Sequence, residues 1–453
     1  MAQSPKLPEE IDVAIIGSGI TGCSVAYTLL HNSENSGLRI SVLEARNAVS
    51  GATGRNGGHL VSDADSHFGT LLQLFGSEEA TKIFHFSEAN IARLKELVAE
   101  LDPADRDAVE LRSLVMTAGI SNQEILDRAK ESISLIDETV PEKTIRSKTI
   151  SKEQAESKYY YSNSIVGGVE QHGAAALSPY RLITALYSKL LQKYDGRFSL
   201  ETNTPVSSVT HQFDLSYLYT LNTPRGMLQA KKVIHCTNGY SAFLLPSLVG
   251  KLFPFRGTMS CQDPGLSFPR MGSDASWNLL EKTRYDPDTR VLTAGLYYAQ
   301  QNSKTGDIWV GGEVQKVDEL ISSDDSVVSL RARENILSVL PRIWKDTEPG
   351  ASQIWSGVMG FTSDGLPLVG NLSSKMTGRT GDGEWIAAGF NGHGMDKCWL
   401  TGEALAQMVL QGTTPESFPT PYLLSEERFD RLTSEAAVEF LFGDVEIQAN
   451  LRT

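Results

Sequence analysis

The sequence predicts an α/β nucleotide-binding domain joined to a second domain of antiparallel strands, and three observations carry that expectation. Residues 12–17 (D-V-A-I-I-G) are a short β-branched run that leads into a glycine-rich turn, an apolar-periodic helix and a second strand. Residues 285–315 alternate like antiparallel strands. At 453 residues the chain is too long for one compact core, so two interlocked domains are expected.

The elements follow in order. The first helix runs through Val25, Ala26, Leu29 and Leu30, and a polar spacer at 31–37 separates it from the strand Arg39–Leu43, which closes on Glu44. This is a β-α-β unit of ordinary length. The loop 45–59 is rich in Gly, Ser, Thr and Asn. Residues 78–101 place Ile83, Phe84, Ile91, Leu94, Leu97 and Val98 at helical spacing, and 123–138 do the same with Ile125, Leu126, Ala129, Ile133 and Ile136. A third helix starts at Ser178-Pro179, a cap residue followed by proline in the first turn. Strands are expected at Thr204–Val209, Tyr217–Leu221, Met227–Cys236, Val291–Tyr298, Asp307–Gly311 and Trp385–Ala388. After the last comes the loop Gly389–Met395 and a helix carrying Leu400, Ala404, Leu405, Met408 and Val409.

Composition narrows the function classes. The formal charge is −14, from 41 basic and 55 acidic residues, which argues against a protein that tracks nucleic-acid phosphates. Cys23, Cys236, Cys261 and Cys398 lie far apart in sequence, so neither a C-x-x-C metal site nor a disulfide framework is expected. No metal is expected. The N-terminus lacks an apolar leader and no stretch approaches the ~20 apolar residues of a membrane span, so the expected location is the cytoplasm.

The chemistry-bearing signal is Gly17-Ser18-Gly19-Ile20-Thr21-Gly22, directly after a strand and opening a helix. Gly17 allows the tight turn, Gly19 clears the way for a pyrophosphate, and Gly22 lets helix and strand approach. The helix start then offers unpaired N–H groups and the positive dipole end to phosphate. Glu44 can accept both ribose hydroxyls and repels a 2′-phosphate. Ala45 and Arg46 follow it as further cofactor-contact candidates. These features suit NAD and FAD alike. The loop Ser50-Gly51-Ala52-Thr53-Gly54-Arg55-Asn56-Gly57-Gly58-His59 favours the longer cofactor, because Thr53, Gly54, Arg55, Asn56, Gly57 and Gly58 supply backbone N–H groups, a hydroxyl and a guanidinium for a second phosphate region. A plain flexible glycine loop is the alternative.

The chain resembles the FAD-dependent oxidoreductases of the D-amino-acid oxidase superfamily, which include glycine oxidase, sarcosine oxidase and γ-glutamylputrescine oxidase. The G-A-T-G-R-N-G-G segment is most similar to the last. Further matches are Ser178-Pro179-Tyr180-Arg181-Leu182, Thr204-Pro205-Val206, Ile234 through Tyr240, Pro254-Phe255-Arg256-Gly257, Trp355-Ser356-Gly357, Thr362 through Pro367, and Gly389 through Met395. The resemblance implies a discontinuous FAD-binding domain (1–70, 151–250 and 350–412), a substrate domain with a large antiparallel sheet (71–150 and 251–349) and a surface tail (413–453). It implies that Val206 lies by the adenine, that Thr237, Asn238 and Gly239 lie near the pyrophosphate, and that Gly365 with Asn391, Gly392, His393, Gly394 and Met395 contacts the cofactor. A helix start near the flavin would stabilise the charge left by an arriving hydride. A tight turn is the plainer reading of 391–394.

The implied reaction is oxidation of an amine or amino acid by hydride transfer to the flavin N5, giving an imine, with oxygen as the expected second acceptor. A dehydrogenase using another acceptor, a non-amine substrate and a non-catalytic nucleotide binder are the alternatives. No obligatory acid or base is expected. His59, Arg256, Tyr297, Tyr298 and Trp309 are the substrate-pocket candidates, against ordinary turn and sheet packing. Arg256 suits a carboxylate, and His59 is either flavin-facing or held in a turn. Two departures stand out. The segment W-S-G-V-M-G-F lacks the cysteine that sarcosine-oxidase-like members bond to flavin, and Trp309 stands where sarcosine oxidase has an oxygen-activating lysine.

Overall fold

The computed structural model describes residues 2–33, 37–213, 216–345, 347–348, 350–442 and 446–447. The β-α-β unit is present as β1 (Glu10–Ile16), α1 (Ile20–Asn32) and β2 (Ile40–Leu43). Strand β1 is parallel to β2 on one side, with Ile15 opposite Val42, and to Gly226–His235 on the other, with Ile15 opposite Ile234. The core of β1 is buried on both faces, which is why it reads as a continuous apolar run rather than an alternating one. Phe198–Glu201 extends the sheet beyond β2. Gly226–His235 pairs with Tyr219–Thr223 along its first half and with Glu384–Ala388 along its second. One eight-stranded sheet is thereby assembled from segments as distant in sequence as Glu10–Ile16 and Glu384–Ala388.

The second sheet has ten strands. From one edge inward it runs Gln353–Thr362, Leu252–Gln262, Ile308–Lys316 and Val291–Gln301, all antiparallel to their neighbours. It departs from the expected all-antiparallel layout at two places, where Ala275–Leu280 runs parallel to Val115–Ile120 and Arg284–Asp286 runs parallel to Glu446–Ile447. Gly167–His172 and Gln353–Thr362 belong to this sheet, although both fall within ranges assigned above to the FAD-binding domain. One of its faces is covered by the helices Leu330–Leu337 and Leu340–Ile343 over a core of Trp277, Tyr297, Val310 and Trp344.

The segment around 78–101 is longer than its periodicity suggests. Helical backbone spans Ala64–Ala99 (α3), broken at Gly76, whose φ is 76°. The first half buries Phe68 against Phe84 and Ile136 of the helix Gln123–Thr139. The strand expected at Thr204–Val209 begins only at Ser208, and the one expected to end at Gly311 continues to Lys316. Ser178 occupies the cap position of Pro179–Lys193 without a side-chain cap bond. Residues 413–442, expected as a surface tail, are anchored: Arg428 is buried and binds both oxygens of Asp364, at 2.8 and 3.1 Å. Beyond them Glu446–Ile447 pairs with Arg284–Asp286, and 443–445 and 448–453 lie outside the described residues.

Candidate active site between the glycine turns and the ten-stranded sheet

Gly17 turns the chain out of β1 at φ 108°, and a Cβ there would sit 2.5 Å from the Cys236 carbonyl oxygen. At Gly22 a Cβ would collide with the Gly17 carbonyl, so the helix touches the turn through bare backbone. Gly19 is the cap residue of α1 and has no side chain to offer. Thr53 substitutes for it from the second loop: its Oγ1 accepts the Ile20 N–H at 3.0 Å. Thr21 is buried in the first turn. Glu44 stands at the end of β2 with Oε2 accepting from the Ser18 N–H and hydroxyl at 3.1 and 2.7 Å, and Oε1 accepting from the Arg46 N–H at 2.9 Å. Thr204 N–H donates to the Glu44 carbonyl at 2.8 Å, which brings the Val206 segment alongside. Val206 itself packs with Leu43 and Leu244. Ala45 is exposed.

The second loop is built around a helical turn, Ala52–Arg55. Gly54 and Gly58 have no room for a Cβ, which would strike the carbonyls of Val49 and Leu177. Asn56 ties the turn together by accepting the Gly58 N–H at 2.7 Å and donating to the carbonyls of Ala52 and Thr53. The guanidinium of Arg55 differs from the expectation that it serves a phosphate. It donates to the carbonyls of Ser50 at 2.8 Å, Ser356 at 2.6 Å and Asp325 at 3.1 Å, pinning the loop to the sheet. Asp325 was not singled out by sequence, because S-S-D-D-S reads as a solvated loop. It is buried, pairs with Arg46 at 2.6 Å and Arg55 at 3.6 Å, and accepts from Tyr240 at 3.1 Å.

Thr237 lies next to Gly17, its N 3.5 Å from where a Cβ on Gly17 would sit, and Asn238 and Gly239 follow it in the chain. Asn238 (φ 46°) accepts the Gly389 N–H at 2.9 Å, and a Cβ on Gly239 would sit 2.5 Å from the Met359 carbonyl oxygen. Asn391 (φ 52°) accepts the Thr362 N–H at 2.8 Å, and Gly392 (φ 82°) sits near Phe361 and Met359. The turn at 389–395 is therefore held against the large sheet, with Gly394 over Cys398 and Met395 against the core beside α1. His393 faces Asp63 at 3.5 Å. Burial lowers its pKa, Asp63 opposes that shift and Lys397 adds to it. Gly365 is the exception: its Cβ position is filled by the Phe440 ring, so it faces the C-terminal helix and not the phosphate turns.

Residues of the large sheet alternate cleanly near the loop. Tyr298 pairs with Gly311 and Met259 pairs with Gly311 from the other side, and a Cβ on Gly311 would run into both side chains. Met259 also reaches Gly57, and Tyr298 meets the His59 ring edge-on at 6.2 Å. Trp309 shares this face by its two-residue spacing from Gly311. Tyr297 points the opposite way. It is 1 % exposed, its hydroxyl donates to Asn335 at 3.0 Å and accepts from Arg342 at 2.8 Å, so it is a packing residue beneath the helices and not a pocket wall. Arg256 is buried and donates to the Asp324 carbonyl at 3.2 Å. Desolvation lowers His59 to about 4, with the Ala299 backbone opposing and Arg112 reinforcing, so its imidazole is neutral at pH 7. Its Nε2 and the Ser50 hydroxyl are buried without hydrogen-bond partners among the described residues.

A dinucleotide fits this arrangement. The bare turn, the helix start and the carboxylate on β2 are joined through Ser18 and Thr53 to the loop that carries the two orphaned polar atoms. Residues 12–408 match the family described as FAD dependent oxidoreductase. The chain belongs to that family. This FAD-dependent oxidoreductase is 22% identical over 409 residues to γ-glutamylputrescine oxidoreductase of Escherichia coli K12, covering 88% of this chain and 83% of the relative. Glycine oxidase from Geobacillus kaustophilus shares its fold at a TM-score of 0.69 and 19% identity, covering 92% and 99% of the two chains. L-proline dehydrogenase from P. horikoshii does so at 0.66 and 17%, covering 97% and 100%. The oxidoreductase is an enzyme that uses FAD. Among its described residues, no helix is long and apolar enough to cross a membrane and no group of three or more metal-ligating side chains is found.

Proposed function

We propose that this oxidoreductase oxidises the C–N bond of an amine or amino acid to an imine, with oxygen as the final electron acceptor. The observation that carries the reading is the meeting of the glycine turns with the Met259–Tyr298–Gly311 face of the sheet. Bound FAD supplies the hydride acceptor. Gly17, Gly19, Ile20, Thr21 and Gly22 would hold its pyrophosphate, with Thr237 to Gly239 beside them, and Glu44 its ribose. Residues 53–58 and 391–394 would frame its second half. The apolar wall excludes water, whereas Arg256, three residues from Met259 on a regular strand, points to the opposite face of the sheet and is not a wall of this pocket. The names of the similar proteins support a nitrogen-bearing substrate: γ-glutamylputrescine, glycine and L-proline. A hydroxyl-bearing substrate is the second reading, favoured by a match to glycerol 3-phosphate oxidase of Mycoplasma pneumoniae, 24% identical over 242 residues and 52% of this chain.

The test is anaerobic mixing of the purified yellow protein with glycine, L-proline, L-alanine, putrescine, γ-glutamylputrescine and glycerol 3-phosphate. Bleaching of the flavin band by at least one amine, and peroxide formation when air is admitted, are expected. Bleaching by glycerol 3-phosphate alone would replace the amine reading with the second one. Reduction without peroxide would make the protein a dehydrogenase. Acid precipitation is expected to release the flavin, since Gln353–Thr362 carries no cysteine.

A further inference from the structure

A small third sheet carries a cation to the edge of the proposed pocket. Its strands are His59–Leu60, Ala175–Ala176 and Arg112–Ser113 in that spatial order, and both His59 and Arg112 stand opposite Ala176. Residues that face each other across a ladder present their side chains to the same side, so Arg112 and His59 share one face. That face meets the large sheet. Arg112 Nη2 donates to Gln300 Oε1 at 2.7 Å, and Gln300 Nε2 lies 3.2 Å from where a Cβ on Gly58 would sit. Gln300 follows Tyr298 by two residues on Val291–Gln301 and stands opposite Trp309, which puts it on the Met259–Tyr298–Gly311 face. Strand register and side-chain contact thus fix the guanidinium beside the glycine loop. Its partners within the chain satisfy it only in part. Nε is buried with no hydrogen-bond partner among the described residues, as is His59 Nε2. Glu110 stands 3.7 Å from Nη1 and is shared with Arg181 at 3.4 Å and Lys304 at 3.7 Å. A buried cation so placed favours a further anion.

We infer that Arg112 receives a carboxylate of the substrate, which narrows the substrates to amino acids and other acid-bearing amines. This deepens the proposed function and rests on it. A guanidinium matches a carboxylate through two parallel N–H···O bonds, which a point charge cannot do. Nε, which meets nothing in the chain, is the donor assigned to the substrate. The imidazole of His59 is neutral, so Arg112 is the charge that an anion meets on this face. An amine without an acid gains nothing from that charge, and its ammonium is repelled. The carboxylate contact expected of Arg256 falls in this way to a residue on a different element.

The test uses FAD-loaded wild type, Arg112→Met and Arg112→Lys. Three pairs are compared: glycine with glycinamide, L-proline with L-prolinamide, and γ-glutamylputrescine with putrescine. Apparent dissociation constants come from the concentration dependence of anaerobic flavin bleaching, or from its inhibition where a compound binds without reacting. In wild type the acid-bearing member of the reactive pair is expected to bind at least about 10-fold more tightly, the worth of a hydrogen bond to a charged group. Arg112→Met is expected to stay yellow, to lose that preference, and to bind the acid-free member at least as well as wild type does. Equal weakening of both members would make Arg112 structural and overturn the inference. Arg112→Lys, which keeps the charge if the methionine variant misfolds, should retain only part of the preference. A wild type bleached by a nitrogen compound without preferring the acid, or an unchanged preference in each variant that holds FAD, overturns this inference alone. A wild type bleached by none of these compounds overturns the reading on which it rests.

Discussion

Glu313 and Asp325 show how differently two buried acids can be used. Asp325 is satisfied by Arg46, Arg55 and Tyr240, and so acts as the knot between the cofactor loop and the sheet. Removing its charge in Asp325→Asn leaves two guanidinium groups without their common partner. Breaking a buried pair costs about 3–5 kcal/mol, and the part-exposed Arg46 places this case at the low end. Denaturant unfolding should record that loss, and titration with FAD should show weaker binding; an unchanged midpoint would remove Asp325 from the architecture of the site. Glu313 has the opposite stability signature. Its carboxyl is raised from 4.5 to about 8, so the folded protein retains a proton that the unfolded chain has released between those values. Stability therefore declines as pH rises from about 4.5 to about 8. The unfolding free energy of Glu313→Gln should gain on wild type across that window by up to about 1.4 kcal/mol per pH unit. Parallel stability curves for the two proteins would mean that Glu313 is solvated.

Among elements, α1 and the helix Cys398–Gln411 control how the cofactor turns are stacked. Gly402 makes their approach possible: a Cβ there would lie 2.6 Å from the Ser24 Cβ and 2.9 Å from the Thr21 carbonyl. Ser24 also donates to the Trp399 carbonyl at 2.6 Å, which locks the register of the two helices. Gly402→Val should push the helices apart at the first turn of α1, cost about 1–3 kcal/mol and yield protein with reduced flavin content, read from the ratio of visible to ultraviolet absorbance. Full flavin occupancy at an unchanged melting temperature would refute this role. The start of the same helix is tied to α3 by a buried charge cluster, with Lys397 3.0 Å from Asp63 and 3.2 Å from Asp396. Burial alone would raise Asp63, but Lys397 and then His393 hold it well below its usual range; burial raises Asp396 to about 7 against the pull of Lys397. Periodicity revealed both helices, and their glycine and charged contacts were hidden because they join residues more than 300 positions apart.

At the scale of the whole molecule, what was legible was local and what was not was long-range. β1, α1, β2 and Glu44 could be read because strand, turn, helix and acid follow within 35 residues. The ten-stranded sheet could not, since Ala275–Leu280 finds its parallel partner at Val115–Ile120, and Tyr297 could not be separated from Tyr298 without knowing which face carries the helices. Glu313 escaped because Gly311-Gly312 resembles the end of a strand that in fact runs on to Lys316. The C-terminal segment shows the same limit most clearly, since only tertiary contacts turn its surface-like sequence into a clamp. Arg428 is the clamp's centre: besides Asp364 it donates to the carbonyls of Leu366, Pro367 and Leu423, at 2.9, 2.9 and 3.3 Å. That turn leads directly from Thr362, which Asn391 holds in place at the proposed flavin site. Loss of the guanidinium in Arg428→Ala leaves a part-exposed carboxylate and three carbonyls without their donor, so it should cost about 2–3 kcal/mol. Limited trypsin digestion of the FAD-loaded variant should then cut first within the released C-terminal segment, while wild type resists. Simultaneous digestion across the chain would instead show that the segment unfolds only with the rest of the protein, and that Arg428 supports global stability without acting as a separate clamp.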